Sequence, residues 1–190
     1  MQLKNNKIIV VGNGSSVLLK ENGGVIDSFE EVVRFNKYAI GGYEKNVGTK
    51  TSIWFTVRPI SFYKKDFRLK IKYNEVYFCY RWDVQAKWYN SYLEHFKNLG
   101  VTVDKIKVDQ MQHKINNQFD FSKKIEPSTG LIAILKFIDI YEKVFITGFD
   151  WWDNEKNHYY DDAPRASIHD PALEKKIIDI LIKKNKIQFI

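Results

Sequence analysis

Short apolar runs recur along the chain, and between them lie polar stretches rich in turn-forming residues or stretches with helical spacing. Ile8-Ile-Val-Val11 runs directly into Gly12-Asn-Gly-Ser-Ser16, the pattern of a strand buried on both faces that enters a tight turn. Residues 32–36, 51–55, 75–80, 101–103 and 143–147 predict further strands, and residues 186–190 a short final one. Helical spacing marks residues 82–99, which stop at Gly100, residues 128–141 and residues 171–184. Residues 105–124 are polar without a clear period and predict a loop or broken helix. Strands alternate with helices, so the fold class is α/β, a mostly parallel sheet flanked by helices. No internal repeat or low-complexity linker divides the chain, and residues 1–190 are expected to form one domain.

In such sheets the ligand lies beyond the carboxyl ends of the strands, near the point where strand order reverses. Several unusual segments fall at those ends: the turn Gly12, Asn13, Gly14, Ser15; Asn36; and Gly148-Phe149-Asp150. The glycine turn can offer N–H groups to a phosphate, but it lacks both the full dinucleotide pattern and the Walker lysine. An ordinary strand–turn–helix junction explains that segment equally well. Ser128, Thr129 and Gly130 open a helix, where a cap and a carboxylate or phosphate site use the same groups.

Residues 150–168 are rich in Trp, Asp, Asn and Tyr without periodicity, a composition that predicts an active-site lid. His158-Tyr159-Tyr160-Asp161 lies inside it. His169 precedes Asp170-Pro171, read as N-cap and first helical residue, so its imidazolium form is disfavoured by the helix dipole. A neutral imidazole suits a general base, and Glu174, one turn on, is placed to orient the ring. No His/Cys cluster with metal-ligand spacing, Asp-x-Asp or G-x-S-x-G is present, so no metal and no cofactor is expected.

Composition adjusts this picture slightly. Of 190 residues, 44% are hydrophobic and 28% charged, a globular balance. Five Trp, eleven Tyr and thirteen Phe exceed what a small core absorbs, so some line a surface or pocket. The formal charge of +7 favours anionic partners, although the lysines are scattered. The single cysteine, Cys79, sits in a strand and reads as a buried structural thiol. No signal peptide or bilayer-length apolar stretch is seen, which points to a cytoplasmic protein with, at most, peripheral contact with the inner face of a membrane.

Taken in order, these segments resemble the sialyltransferase family defined by sialyl motifs L, S, III and VS. The large motif matches Val10-Val-Gly-Asn-Gly14, Ile26-Asp-Ser28, Val33-Arg-Phe-Asn36 and Val47-Gly-Thr-Lys-Thr51. The small motif matches Pro127-Ser-Thr-Gly130 and Val144-Phe-Ile-Thr-Gly-Phe149, motif III His158-Tyr-Tyr-Asp161, and the very small motif His169 with Glu174. The resemblance implies a Rossmann-like, GT-A-variant-like domain. It also implies inverting, metal-independent transfer of sialic acid from CMP-sialic acid to a glycan acceptor, lipid-linked or free. By the same resemblance Asn13 and Asn36 contact the nucleotide and its phosphate. Ser128, Thr129 and Gly130 hold the sugar carboxylate, and Gly148, Phe149 and Asp150 line the cytidine side. The remaining motif residues Gly12, Gly14, Ser15 and Tyr159 join the donor site. His158 bonds the departing phosphate and His169 deprotonates the acceptor.

Animal members carry a disulfide between the large and small motifs; here Lys7 and Tyr141 stand about where its cysteines would be. Residues 57–125 resemble nothing placeable, which leaves the acceptor open. A CMP-Kdo-dependent transferase is the alternative within enzymes. A non-catalytic nucleotide or nucleic-acid binding module is the alternative of another class, but it gives no reason for histidines at both motif positions, and no nucleic acid is expected as partner.

Overall fold

The structure is a computed structural model that describes residues 3–119, 121, 125–151, 158–161 and 168–190. Seven strands form one sheet: β1 (Ile8–Val11), β2 (Glu31–Phe35), β3 (Ile53–Thr56), β4 (Glu75–Tyr80), β5 (Thr102–Lys107), β6 (Val144–Thr147) and β7 (Ile187–Phe189). Their order is β5-β4-β3-β2-β1-β6-β7 and every pairing is parallel. The helices are α1 (Gly23–Asp27), α2 (Glu44–Val47), α3 (Asp83–Lys97), α4 (Val108–Phe119), α5 (Thr129–Phe137) and α6 (Pro171–Lys183).

The central strand shows why the sheet forms. All four residues of β1 are buried, and a parallel strand covered on both faces needs such a run. Alternate side chains serve opposite cores: Ile8 and Val10 pack with Leu131, Leu135 and Phe137 of α5 and with Ile177 and Ile178 of α6. Ile9 and Val11 face the other way, onto Val17, Ile26, Phe29 and Val47. On that same side of the sheet lies an aromatic cluster in which Trp54 of β3 meets Tyr63, Tyr73, Tyr92 and Phe96.

One expectation is corrected. Residues 105–107 extend β5, and α4 then runs without a break to Phe119, where a loop or broken helix was expected. The apolar period was present, at Val108, Met111 and Ile115, but diluted by Gln112, which is buried because its amide donates to Glu126 Oε1 at 2.6 Å. β5 reads as polar because it is an edge strand, with only Ile106 buried.

The order reverses beside β1. The chain moves outward from β1 to β5, then returns to place β6 against β1's other edge. Gly12 and Gly148 leave the two strands there in close contact: a Cβ on Gly12 would lie 2.0 Å from the Gly148 carbonyl oxygen. No larger residue fits without opening the strands.

Candidate functional site

A cavity of about 1030 Å³ runs along the carboxyl edge of the sheet. Its walls include Gly12, Asn13, Gly14, Asn36, Ser128, Thr129, Gly130, Gly148, Phe149, Asp150, His158 and His169, so segments far apart in sequence meet here. Ser15 and Tyr159 are the candidates the structure does not bring to the cavity wall. Ser15 Oγ donates to Asp150 Oδ2 at 3.4 Å. Tyr159 is 7% exposed, meets Tyr43 edge to face, and its hydroxyl donates to Ala39 O while accepting from Ala39 N–H.

The glycine turn works differently from a phosphate cradle. Gly12 N–H donates to Thr147 O at 2.7 Å and Gly14 N–H to Gly148 O at 3.0 Å. Ser16 N–H donates to Asp150 Oδ2 at 3.1 Å, and a Cβ on Gly14 would strike that carboxylate at 2.3 Å. The turn's donors therefore join the ends of β1 and β6. Asn13 extends the join: its amide donates to Phe35 O and Lys37 O, and its own carbonyl receives Tyr159 N–H at 2.9 Å. Gly130 also makes room for protein, since a Cβ there would lie 2.7 Å from the Phe149 ring.

Asn36 carries the clearest sign of an unmet polar need. Its backbone has φ 52°, a left-handed conformation uncommon outside glycine and frequent at functional sites. Its amide nitrogen donates to Thr129 Oγ1 at 3.3 Å, and its Oδ1 is buried with no hydrogen-bond partner among the described residues. A buried amide oxygen without a partner is uncommon, and it can accept from a donor that reaches it from the cavity.

Glu174 departs from its expected role. Instead of orienting His169, its carboxyl group accepts from Ser128 N–H at 2.6 Å and from Ser128 Oγ at 2.8 Å. Ser128 Oγ in turn caps α5 by accepting from Leu131 N–H. Ser128's donors are thus taken up by α6, and the first-turn N–H groups of Thr129 and Gly130 have no intrahelical acceptor. Burial pushes the Glu174 carboxyl up to about 7, against the lowering effect of the Ser128 bonds.

His169 is oriented instead by Glu126, whose carbonyl faces its Nδ1 at 2.8 Å. With Nδ1–H donated there, the lone pair of the neutral ring is on Nε2. Burial, and then the Arg81 charge, lower its pKa. The direction agrees with the sequence reading, but the main cause is desolvation. Asp170 caps α6 as expected, accepting from Leu173 N–H at 3.1 Å, with Pro171 first in the helix. His158 lies parallel to the Tyr160 ring at 5.1 Å, and its Nδ1 meets Asp161 Oδ1 at 2.8 Å. Of the expected lid, residues 152–157 and 162–167 lie outside the described residues.

Sequence reasoning missed the other half of the cavity, lined by Lys37, Val57, Arg58, Phe62, Arg81, Trp82, Gln85, Asp109 and Glu126, together with Tyr160. The signal was available, because Val57-Arg58, Arg81-Trp82 and Val108-Asp109 directly follow β3, β4 and β5. Cys79, buried at the end of β4, has its thiol pushed up to about 12 by desolvation and fits the structural reading. Among the described residues no group of three His, Cys, Asp or Glu could hold a metal ion, and no helix is long and apolar enough to cross a membrane.

An open parallel α/β sheet with its cavity at the switch point is the architecture of nucleotide-binding proteins. The chain belongs to glycosyltransferase family 29 (sialyltransferase), whose model matches residues 2–186. It is 24% identical over 215 residues to the lactosylceramide alpha-2,3-sialyltransferase of Rattus norvegicus, covering 96% of this chain and 56% of the relative. To the CMP-N-acetylneuraminate-beta-galactosamide-alpha-2,3-sialyltransferase 1 of Sus scrofa it is 28% identical over 199 residues, covering 94% and 56%. The chain spans about half the length of the curated relatives it matches. A mammalian sialyltransferase solved with Gal-beta-1-3GalNAc-ortho-nitrophenol superposes with a TM-score of 0.72 at 23% identity, covering 98% of this chain and 69% of that one. The fold is therefore Rossmann-like and shared with sialyltransferases.

Proposed function

We propose that the chain transfers a sialic-acid-type sugar from its CMP-activated form to an acceptor hydroxyl, with inversion and without a metal. The observation that carries this is His169: a desolvated imidazole, held through Nδ1 by Glu126 O, in the wall of the cavity that also holds His158 and the motif turns. Family membership and the donor printed in the name of the pig relative support it.

The chemistry follows from the groups present. The acceptor oxygen bonds to the anomeric carbon as its proton passes to His169 Nε2. The bond from that carbon to the phosphate oxygen breaks, and the electron pair leaves with CMP. His158, with a hydrogen on each ring nitrogen so that Nδ1–H donates to Asp161, donates from Nε2–H to the departing phosphate. Thr129 and Gly130 N–H groups face the sugar carboxylate, and the Asn36 amide a polar group of the nucleotide. A single phosphate leaving group needs less charge neutralisation than a diphosphate, so a divalent ion is dispensable.

The test is a thermal-shift panel followed by a transfer assay. CMP and CMP-sialic acid should raise Tm while UDP-sugars do not, and a larger shift with CMP-Kdo would reassign the donor sugar. Transfer should survive EDTA; loss restored by magnesium contradicts the metal-free route. The acid limb of kcat/KM should lie below pH 6.5, because a base with a lowered pKa loses activity only as pH falls further. An acid limb above pH 6.5 would argue against His169 as the base.

A further inference from the structure

The donor motifs occupy one half of the cavity: Gly12 to Gly14 after β1, Asn36 after β2, and Gly148 to Asp150 after β6. The other half is built by the ends of β3, β4 and β5 and by Glu126. About 1030 Å³ lies just above the range of about 300–1,000 Å³ that suits one small ligand, which leaves room beside a donor.

His169 marks where the halves meet. Glu126 O receives its ring, and the Glu126 carboxylate is held from both sides, by Arg81 and by Gln112 Nε2. Arg81 is followed by Trp82, which lines the cavity yet is 64% exposed, the most exposed aromatic residue among the described residues. The backbone under it is fixed: Gln85 Oε1 accepts from the N–H groups of Arg81 at 2.9 Å and Trp82 at 3.3 Å, and Gln85 N–H donates to Trp82 O at 2.8 Å. A large indole on a braced turn presents a flat apolar face at low entropic cost. Arg81, Gln85 and Asp109 line the same cavity. A flat apolar surface with hydrogen-bonding groups in the same wall suits a pyranose, which has a face of C–H bonds and a rim of hydroxyls.

We propose that Trp82 is the acceptor platform: the pyranose that receives the transferred sugar stacks on its indole, with Arg81, Gln85 and Asp109 on its hydroxyls, and the Arg81–Glu126 contact sets that platform relative to His169. The inference rests on the transferase reading above and deepens it by assigning the acceptor half. It also gives a role to part of the 57–125 stretch, where no motif is readable.

The experiment is saturation-transfer NMR with methyl β-galactoside, methyl β-glucoside and methyl β-lactoside, each with CMP present, on the wild-type chain, Trp82→Ala and Trp82→Phe. The wild type should transfer saturation to the ring C–H protons of at least one glycoside, Trp82→Ala should abolish this, and Trp82→Phe should retain part. For any glycoside that serves as acceptor, Trp82→Ala should raise its KM about tenfold, the loss of one aromatic platform. CMP affinity should stay within about twofold, below 0.5 kcal/mol. Equal transfer in wild type and Trp82→Ala, or none in the wild type, overturns the assignment while the donor reading stands on its CMP binding. Failure of the wild type to bind CMP strikes the transferase reading itself.

Discussion

The two halves of the cavity are built in different ways. The half around β1, β2 and β6 is made largely of main chain. Gly12 lies against Gly148, the Gly14 turn donates into β6's exit, and Asn13 ties β1 to β2 and to the His158 segment. The half around β3, β4 and β5 is made of side chains, with an Arg81–Glu126 ion pair, exposed Arg58 and Lys37 beside the Phe62 ring, and Trp82. Main-chain construction tolerates almost no substitution, because a Cβ has nowhere to go. Side-chain construction keeps the sheet edge intact while the residues on it vary. Under the proposed transferase reading, the first construction suits the donor and the second suits the acceptor.

The segment from Asp27 to Thr51 is tied down in a similar way, away from the cavity. The buried guanidinium of Arg34 donates to the carbonyls of Val47 and Lys50 and to Thr51 Oγ1. Asp27 accepts from Thr49 N–H and Lys50 N–H at 2.9 Å, and those bonds outweigh burial to lower its pKa. Both residues secure the loop behind β2.

Four substitutions test the contrast. The largest effect is expected at the junction: His169→Ala should reduce kcat about 10²- to 10⁴-fold, the contribution of a positioned base, with CMP binding retained. Unchanged turnover removes His169 from the chemistry. Next, Gly12→Ala should cost about 3 kcal/mol in urea denaturation, since the added methyl must push apart two backbones. A Cβ accommodated without loss would contradict the main-chain account of the half around β1, β2 and β6.

Glu174→Gln probes the brace between α6 and α5 through pH. Because the folded-state pKa is raised to about 7, the fold holds a proton that the unfolded chain has released. Stability from this group is full below its ordinary pKa and is lost as pH rises through about 7. Between pH 5 and 8 the wild type should lose on the order of 2 kcal/mol relative to the glutamine variant. Parallel stability curves for the two proteins would reject the buried carboxyl as their source. The smallest effect is at Asn36: Asn36→Ala should weaken CMP binding about tenfold, the value of one buried hydrogen bond. Equal affinity by titration calorimetry places Asn36 outside the nucleotide contacts.

Much of this was legible in the chain. The buried run at β1 announced a parallel sheet, and the turns at Gly12, Asn36, Ser128 and Gly148 marked its carboxyl edge. Only the start of β5 was legible, at 101–103, because its continuation is a polar edge strand; the helix α4 was missed because its apolar period is diluted by Gln112, buried by a partner fourteen residues away. The partner of Glu174 was misassigned for a related reason: helical spacing suggests a neighbour on the same helix, whereas the carboxyl group reaches across to Ser128.

The sequence by itself determined the elements, the strand ends and the residue types able to do the chemistry, because periodicity and turn preferences are local properties of the chain. Only the tertiary structure decided who touches whom. It assigned the glycine turn's donors to β6 and Asp150, gave His169 its Glu126 support, and put Trp82 in the wall of the same cavity. Those outcomes depend on how seven strands stack side by side, and contacts between segments dozens of residues apart leave no repeating mark in a sequence.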